Sequence, residues 1–573
     1  MADSRRRRRP ASRWAAVVTT ASLLALVLVT GGAPPPVAAD GNEAPGAPAA
    51  ARSISGGAAH TCAILPSGRV KCWGLNTYGQ LGQGSQESLG DQAGEMATLD
   101  AIDLGAGRTA TAISAGNDHT CALLDNGAVK CWGRGANGRL GQESTANIGD
   151  APGEMGDALP PVNLGAGRTA TAVTAGNTHT CALLDNATTK CWGYGNWGQL
   201  GQDSTVNLGD SAGEMAALGP IDLGAGRTAT AITASDNHTC ALLDDGTIKC
   251  WGSGADGRLG QNSTTHLGSF AGSMAALPPI DLGVPLTVRL VANARWVAPG
   301  EDVDYDLTVV NDSAETVTGV VVIDTDVPDC AGPLANLAPG ATTTINCSYP
   351  TTSGDFPSRS HLATLDTDQT AAIPSNLLTV AVAHPYVVDE LAGASSHTCA
   401  VVDTGDVVCF GSNSLGTLGL GNATPLGDQP GDLILPPTVD LGTGRHATSI
   451  ATGGGHSCAV LDDASLKCWG FGGSGRTGYG NEDAIGDGAG EMGDALPAVD
   501  LGTGRTATVV GAGSASAHTC ALLDDGGVKC WGLGGARLGQ GNAQDIGNAP
   551  GEMGDALPEI DLGTCLLYTS RCV

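Results

Sequence analysis

The chain has few aromatic and few basic residues. Phe, Trp and Tyr make up 3% of its 573 residues, which suits many short strands and tight turns better than one helical core. Lys and Arg number 28 against 58 Asp and Glu, and the net charge is −30. Asp3 and the six arginines before Trp14 contribute +5, so the chain without this start carries −35. This acidity argues against binding to nucleic acid or anionic lipid.

A long membrane-spanning run is also missing. The apolar stretch at residues 15–29 is shorter than the ~20 residues that a span requires. It follows an arginine run at residues 5–9 and precedes Val37-Ala38-Ala39, which fits the cleavage pattern of a secretory signal better than an uncleaved anchor. We therefore expect a signal peptide at 1–39, a linker at 40–52, and an exported chain without a membrane span.

No catalytic constellation stands apart from the repeats described below. The sequence offers no separate Ser, His and acid set, no paired carboxylates in a distinct context and no zinc motif, so we predict no catalytic, cofactor-binding or metal-binding residue. The pattern Gly-x-Gly-x-x-Gly does occur, but a dinucleotide site needs it between a strand and a helix, and no helical pattern follows. Its first glycines are Gly133, Gly193, Gly252 and Gly470.

What the chain has in abundance is glycine, with 87 residues, and one repeat present in seven copies. Each copy contains His-Thr-Cys or His-Ser-Cys, and a second cysteine follows ten residues after the first, before Trp-Gly in six copies. Neighbouring copies are 59 to 62 residues apart except at one large gap. The histidines are His60, His119, His179, His238, His397, His456 and His518.

The cysteine spacing predicts a disulfide within each copy. Residues 120–124 and 128–132 read as two strands joined by Asp125-Asn126-Gly127, a three-residue hairpin loop. This register sets Cys121 directly opposite Cys131, with β-carbons about 4.5–5.5 Å apart. A His-x-Cys metal site is the alternative, which an oxidising compartment and the wide ligand spacing disfavour. The predicted pairs are Cys62–Cys72, Cys121–Cys131, Cys181–Cys191, Cys240–Cys250, Cys399–Cys409, Cys458–Cys468 and Cys520–Cys530.

The repeat resembles that of the regulator of chromosome condensation family. The resemblance rests on Ile113-Ser114-Ala115-Gly116, His119 to Leu124, Cys131-Trp132-Gly133 and Arg139-Leu140-Gly141, and it covers nearly all of residues 53–283 and 387–563. It implies an all-β fold, a seven-bladed β-propeller of four-stranded blades, with blades 1–4 at 53–283 and blades 5–7 at 386–564. The family's usual pattern lacks the cysteine pair, which suggests an adaptation to life outside the cell.

The gap between the fourth and fifth copies has a different composition. Residues 284–385 have few glycines and alternate strictly at Val303, Tyr305, Leu307 and Val309, which predicts an inserted β-sandwich domain. Phrases such as Val297-Ala298-Pro299-Gly300-Glu301 resemble immunoglobulin-like repeats of bacterial surface proteins, and Cys330 and Cys347 are expected to pair. As an alternative, the insertion separates two propellers.

Two further features of the repeat offer binding hypotheses. A long acidic loop recurs, with Asp91 and Glu95 in the first copy, and suggests calcium, although a solvated turn is the simpler interpretation because the loop lacks a dense series of oxygen ligands. All six lysines precede the second cysteine and would form a ring, either as a rim for anionic ligands or as protection against strand aggregation. They are Lys71, Lys130, Lys190, Lys249, Lys467 and Lys529.

The last nine residues break the repeat in mid-phrase. Back-translation of residues 565–573 resembles a transposon end from a sequencing library, so we interpret them as derived from an adapter and leave Cys565 and Cys572 out of the pairing.

Together these features predict a non-enzymatic binding or surface scaffold, monomeric and secreted or on the cell surface of a bacterium. Its partner is expected to be an unknown extracellular protein or glycan, with no cofactor and no nucleic acid. The alternatives are a secreted inhibitor of a foreign hydrolase and, less favoured by the signal and the cysteines, a regulator resembling a guanine-nucleotide exchange factor.

Overall fold

The computed structural model describes residues 51–280 and 388–563, apart from positions 430, 431, 434, 435 and 514. Between these two parts it describes the strands of residues 281–387 and a few positions near Leu337. The structure is all-β, and its helices are single short turns. In the part of the chain that is described, no helix is long and apolar enough to cross a membrane. The signal, the linker apart from Ala51 and Arg52, and the adapter-like tail lie outside the described residues.

Seven three-stranded antiparallel sheets form the blades, and each consists of an inner, a middle and an outer strand in chain order. Blades 1 and 2 hold β1 (Ser53–Gly56), β2 (His60–Ile64), β3 (Val70–Gly74), β4 (Ala110–Ala115), β5 (His119–Leu124) and β6 (Val129–Gly133). Blades 3 and 4 hold β7 (Ala170–Ala175), β8 (His179–Leu184), β9 (Thr189–Gly193), β10 (Ala229–Ala234), β11 (His238–Leu243) and β12 (Ile248–Gly252).

Strands β13 to β19 lie between blades 4 and 5 and form two further sheets. They are β13 (Leu286–Ala292), β14 (Asp302–Asn311), β15 (Val321–Asp324), β16 (Gly332–Pro333), β17 (Thr342–Pro350), β18 (Leu362–Thr367) and β19 (Thr370–Asn376). One sheet has the order β13-β14-β17 and the other β16-β15-β18-β19. The alternating run from Val303 to Val309 lies in β14, as a strand assignment requires. Packing of the two sheets into a sandwich and the Cys330–Cys347 pair stay predictions, because they fall outside the described residues.

Blades 5 to 7 repeat the architecture of the first four. They hold β20 (Val388–Gly393), β21 (His397–Val402), β22 (Val407–Gly411), β23 (Ala447–Thr452), β24 (His456–Leu461), β25 (Leu466–Gly470), β26 (Ala507–Gly511), β27 (His518–Leu523) and β28 (Val528–Gly532). The longer helical turns are α1 (Glu95–Thr98) and α2 (Glu214–Ala217). Three-residue 3-10 turns occur at Ala136–Gly138, Gly156–Ala158, Ala255–Gly257, Gly473–Gly475, Gly493–Ala495, Ala536–Leu538 and Gly554–Ala556.

The hairpin register is the one that the loop predicts. Cys121 lies opposite Cys131 in blade 2, and the equivalent cysteines form the same cross-strand pair in all seven blades. The turn needs a residue in the left-handed region at its last position, and Gly127 adopts a φ of 76° there. The middle strand is fully buried between its two neighbours.

The seven sheets close into one ring. Inner strands of neighbouring blades contact one another throughout, and β1 contacts β26 and β27 of the last blade. Across the insertion, β10 of blade 4 contacts β20 of blade 5. The alternative of two propellers separated by the insertion is therefore wrong. The hydrophobic core lies between blades, as where Ile64 and Leu81 of blade 1 join Trp132 of blade 2 in one cluster.

The implied four-stranded blade needs a correction. An extended edge segment takes the place of a fourth strand, and its main-chain bond to the outer strand in blade 2 runs from Val162 N to Val129 O at 2.8 Å. In blades 2, 3 and 4 a proline directly precedes the bonded residue, and proline has no N–H with which to extend the ladder. These prolines are Pro161, Pro220 and Pro279.

Candidate functional site

The histidines of the repeat link each blade to the next. His60 of blade 1 lies 2.9 Å from Thr120 of blade 2, measured from Nε2 to Oγ1. The same bond recurs around the ring at 2.7–3.0 Å. It also joins the two blades on either side of the insertion and the last blade to the first. The other pairs are His119–Thr180, His179–Thr239, His238–Thr398, His397–Ser457, His456–Thr519 and His518–Thr61.

Local bonding assigns the histidine tautomer. The Thr120 hydroxyl donates its hydrogen to the carbonyl of Gln80 at 2.9 Å, so His60 Nε2 must be the donor to Thr120. His60 is fully buried, and desolvation lowers its pKa to about 4. Burial likewise lowers the pKa of His179 to about 3. These imidazoles are neutral structural donors.

The tryptophans add a second hydrogen bond between neighbouring blades, and we call each contact between two neighbouring blades a seam. Trp132 of blade 2 is fully buried, and its Nε1 donates to the Gln80 carbonyl at 3.1 Å beside the Thr120 hydroxyl. Five further tryptophans make this bond at 3.0–3.2 Å. Blade 5 has Phe410 at this position, which has no N–H to donate. The Cys-Trp-Gly pattern of the repeat did not predict this polar role.

In the structure the paired cysteines of every blade are joined as disulfides at Cα–Cα distances of 4.0–4.1 Å. The sulfurs are buried in the cores between blades. With histidine Nε2 bonded to a hydroxyl and both sulfurs oxidised, the three groups of one repeat do not converge as metal ligands. Among the residues that the structure describes, no group of three or more His, Cys, Asp or Glu could hold a metal ion.

The lysine ring is not a binding rim, and neither sequence hypothesis for it is right. Lys130 is 7% exposed, and its Nζ donates to the carbonyls of Leu104 at 3.0 Å and Gly156 at 2.8 Å. Leu104 belongs to the edge segment of blade 1 and Gly156 to the loop of blade 2, so the ammonium bridges a seam. Burial lowers the pKa of Lys130. Lys249, Lys467, Lys529 and Lys71 also donate to edge-segment carbonyls.

The acidic loops use their carboxylates internally. Glu154 Oε2 accepts the backbone N–H groups of Gly149 and Ala151 at 2.8 and 3.0 Å, and the pattern recurs in other blades. In blade 4, which lacks the acid, Ser273 takes its place and Asp203 of blade 3 accepts from Ser273 and Met274. These acids stabilise loops, which favours the solvated-turn interpretation over calcium.

The Gly-x-Gly-x-x-Gly segments also serve the loops. From Gly133 the chain passes through the 3-10 turn Ala136–Gly138 and returns to pair Ile148 with Gly133. This is a closed loop and no site for a pyrophosphate.

The ring has two faces, and the residues on one of them vary more between blades than the residues on the other. The turn face carries the hairpin turns, and there an arginine that leads into the blade pairs with a turn aspartate, as Arg108 does with Asp125 at 3.2 Å. Four more blades repeat this ion pair. The loop face carries the inner–middle loops and the long loops after each outer strand. It varies from blade to blade.

The loop face also carries the exposed apolar side chains. All five large hydrophobic residues exposed among those described lie in the loops that follow the outer strands. Trp197 packs edge-on against His266 with ring centroids 4.8 Å apart, and Arg134 covers the Tyr78 ring at 4.8 Å. Sequence reasoning missed this site, whose signal was variation at fixed repeat positions. The five are Leu75, Trp197, Val206, Phe270 and Leu415, with exposures of 38% to 61%.

Comparison with known proteins agrees with the repeat. The regulator of chromosome condensation (RCC1) repeat matches residues 51–80, 110–139, 229–258, 392–417, 447–476 and 510–540 in one form and 126–183 in another. The ultraviolet-B receptor UVR8 of Arabidopsis thaliana is 26% identical over 435 residues, which cover 74% of this chain and 78% of the receptor. The human E3 ubiquitin-protein ligase HERC2 is 28% identical over 212 residues, and the chain spans only 4% of its length.

Solved structures with some likeness include human WBSCR16, at 15% identity and a TM-score of 0.47 over 82% of this chain and 90% of that one. Yeast RCC1 (Prp20), in its structure with Kap60, has 16% identity and a TM-score of 0.38 over 80% of this chain and 87% of that one. The family model matches a segment in each of the seven blades, and these segments are similar to the regulator of chromosome condensation repeat.

Proposed function

We propose that this chain is an exported, non-enzymatic scaffold that recognises an extracellular protein or glycan through its loop face. The observation that carries this proposal is the confinement of all five exposed large hydrophobic residues, among those described, to one face of the ring. Exposed apolar side chains that gather on one face of a rigid scaffold mark binding surfaces.

The proposal of a non-enzymatic role rests on how the reactive side chains are used. The histidines donate across seams, the cysteines form disulfides, the lysines bond to carbonyls and the loop glutamates accept backbone N–H groups. A catalytic acid, base or nucleophile needs a free face toward a substrate. The sulfurs and the histidine Nε2 atoms are bonded within the fold, and the histidine Nδ1 atoms without a partner, as in His60 and His119, are fully buried and out of reach of a substrate.

The proposal of export rests on the disulfides and on the signal-like start. Disulfides of this kind persist in oxidising compartments, and seven buried ones are joined in this chain. We place the protein in the secreted fraction or on the surface of a bacterium, as a monomer that carries an inserted β-sandwich at 284–385.

The test is capture from the extracellular fraction of the producing culture with the full exported chain as bait. The double variant W197A/F270A removes the two aromatic loop-face residues of blades 3 and 4. T188A/T247A alters the turn face of the same blades and is the matched control. We expect the wild type and the control to retain the same specific protein or glycan and W197A/F270A to lose it. Equal capture by all three proteins would overturn the proposal.

The nature of the captured partner then separates the alternatives. Loss of the captured partner after protease treatment indicates a protein, and loss after glycosidase treatment a glycan. A captured hydrolase that loses activity when the chain binds would identify an inhibitor, which is a specific form of the proposed scaffold. Turnover of a glycan or peptide panel by the chain itself would contradict the non-enzymatic role.

A further inference from the structure

One loop-face position holds glutamine or arginine in six of the seven blades. Its backbone carbonyl accepts the seam bonds from the next blade, so the main chain there is structural. In blade 2 the Arg139 side chain is structural as well, because Nε donates to Ala136 O at 3.0 Å and Nη1 to Asn177 O at 3.1 Å. The position holds Gln80, Arg139, Gln199, Arg258, Thr417, Arg476 and Arg537.

Arg537 of blade 7 departs from this bonding. Its Nε is buried and has no hydrogen-bond partner, whereas Arg139, Arg258 and Arg476 each donate Nε to the carbonyl three residues earlier. The cause is a shorter loop. Five positions separate Arg537 from Gly532, but six separate Arg139 from Gly133, so the accepting carbonyl no longer lies at the same place.

Arg476 of blade 6 lies close enough to Arg537 for the two charges to repel. Desolvation and then the charge of Arg537 lower the pKa of Arg476, and Asp545 acts in the opposite direction. Asp545 is already bonded to Gly534 N at 2.7 Å. Among the described residues, neither guanidinium forms an ion pair with a carboxylate, although the turn-face arginine of blade 7, Arg505, pairs with Asp525 at 2.6 Å.

An apolar side chain follows the outer strand in each of the two blades that carry these arginines and in blade 1. Phe471, Leu533 and Leu75 occupy the same repeat position in blades 6, 7 and 1, directly after the outer strand. Their backbone N–H groups make equivalent bonds of 2.8–2.9 Å to the inner–middle loops. The Arg476 guanidinium lies 4.6 Å above the Phe471 ring, and Leu75 is 38% exposed.

Arg476 is 8% exposed and donates Nε to Gly473 O at 2.9 Å and Nη1 to Gly454 O at 3.2 Å, so it contributes its charge but is held like Arg139. Arg537 is thus the arginine at the loop-face position whose side chain lacks these bonds, and the position directly after the outer strand carries an apolar side chain in its own blade and in both neighbouring blades.

We propose that Arg537, with the charge of Arg476 near it, binds a carboxylate of a protein partner, presented by an acidic residue whose apolar neighbour packs on Phe471, Leu533 and Leu75. This inference rests on the proposed scaffold function and names the partner chemistry at one part of the same face. A guanidinium fork matches the planar geometry of a carboxylate. A polyanion is a poorer fit because the exported chain carries a net charge of −35, which repels it.

Two pools of labelled nine-residue peptides test the inference on the full exported chain. In both pools Leu or Phe flanks the central residue, which is Asp in one pool and Asn in the other. We expect the Asp pool to bind the wild type at least ten times more tightly than the Asn pool in fluorescence anisotropy. The R537Q variant should bind the Asp pool only as weakly as it binds the Asn pool. Glutamine already occupies this position in blades 1 and 3, so the variant keeps the seam carbonyl and is compatible with folding.

R505Q is the matched control, because it removes the same charge from the turn face of the same blade. It should bind the Asp pool as the wild type does. The inference is wrong if the pools bind equally, if neither binds at 1 mM peptide, or if R505Q loses as much affinity as R537Q. Should any of these results coincide with capture of a partner that depends on Trp197 and Phe270, the scaffold function stands and only the carboxylate assignment fails.

Discussion

His518 of the last blade donates from Nε2 to the Thr61 hydroxyl of the first blade across 2.8 Å, and this bond closes the ring. Thr61 in turn donates to the Arg537 carbonyl, where Trp73 Nε1 also donates. We expect Thr61→Val to leave His518 Nε2 without an acceptor and to destabilise the seam between blades 7 and 1 by about 1–3 kcal/mol.

Hydrogen exchange measured by mass spectrometry should show faster exchange in blades 1 and 7 of the Thr61→Val protein. Thr61→Ser is the control, because Ser457 already serves at this position in blade 6. Unchanged exchange in Thr61→Val would mean that the bond contributes nothing to closure.

The seam between blades 4 and 5 lacks two of the recurring side-chain links, and blade 5 also lacks the turn-face ion pair. Phe410 replaces the tryptophan, Val408 replaces the lysine, and the insertion replaces the arginine of the turn face. The His238–Thr398 bond remains at 3.0 Å. We predict that blades 4 and 5 exchange amide hydrogens faster across their contact than any other pair of neighbours.

Phe410→Trp should restore one donor at this seam and slow the exchange there, with a gain of about 0.5–1.5 kcal/mol. The converse change, Trp132→Phe at the seam between blades 1 and 2, should cost a similar amount. If Phe410→Trp accelerates exchange instead, the pocket beside Gly260 does not accommodate the indole.

The buried histidines predict acid sensitivity. Burial lowers the pKa of His397 and His518 to about 3 in the folded protein, against 6.5 for the free side chain. The unfolded chain therefore binds more protons as the pH falls from about 6.5 toward 3–4, and each such histidine costs up to about 1.4 kcal/mol per pH unit in that window. We expect Tm to fall steeply below pH 6.5 and to change little between pH 7 and 8. His60→Gln should make the fall shallower, whereas a Tm that is flat from pH 7 to 4.5 would contradict the assigned neutral state.

Peptide mapping of the unreduced protein should recover each disulfide within one hairpin, as in Cys121–Cys131. A link such as Cys62 to Cys121 would contradict the register. Because each bridge closes a short loop, we expect removal of one pair, as in C121A/C131A, to cost less than the ~3 kcal/mol of a fifteen-residue loop. The measurement is urea unfolding of this variant beside the wild type.

Replacement of residues 283–387 by the linker Gly-Ala-Gly-Arg-Thr, copied from residues 105–109 between Leu104 and Ala110, should leave the ring folded. Blades 4 and 5 already contact each other with the insertion present. The replacement also returns an arginine to the turn face of blade 5. We therefore expect the Tm of this variant to equal or exceed that of the wild type. Loss of the folded state would mean that the inserted strands support the propeller.

The repeat and the strand register of each hairpin could be predicted because both follow from the spacing of nearby residues. The loop Asp125-Asn126-Gly127 alone sets which residues oppose each other, so Cys121 had to face Cys131. The role of Lys130 could not be predicted, because its acceptors Leu104 and Gly156 are brought to it by segments 26 residues away on either side. The same holds for Asp203, which supports the loop of another blade.

The loop face escaped sequence reasoning for a different reason. Trp197 matches no motif and stands where other copies have another residue, whereas Arg537 matches the Arg-Leu-Gly phrase of the repeat and departs only in its bonding. Their difference from the other blades can be recognised only when the exposure and the hydrogen bonds of equivalent residues are compared across the folded ring.

Each blade supplies all three of its own strands, so the ring is held at its seams by side chains and by separate main-chain bonds, such as Ala170 N to Gly127 O at 2.8 Å, and not by a shared sheet. Its resistance to opening is therefore set seam by seam, and a few substitutions can raise or lower it without altering a strand. The chain has its large insertion at the seam with the fewest such links. If the ring parted there, the residues between Ile280 and Val388 would keep both sides on one tether, and reclosure would be an intramolecular event.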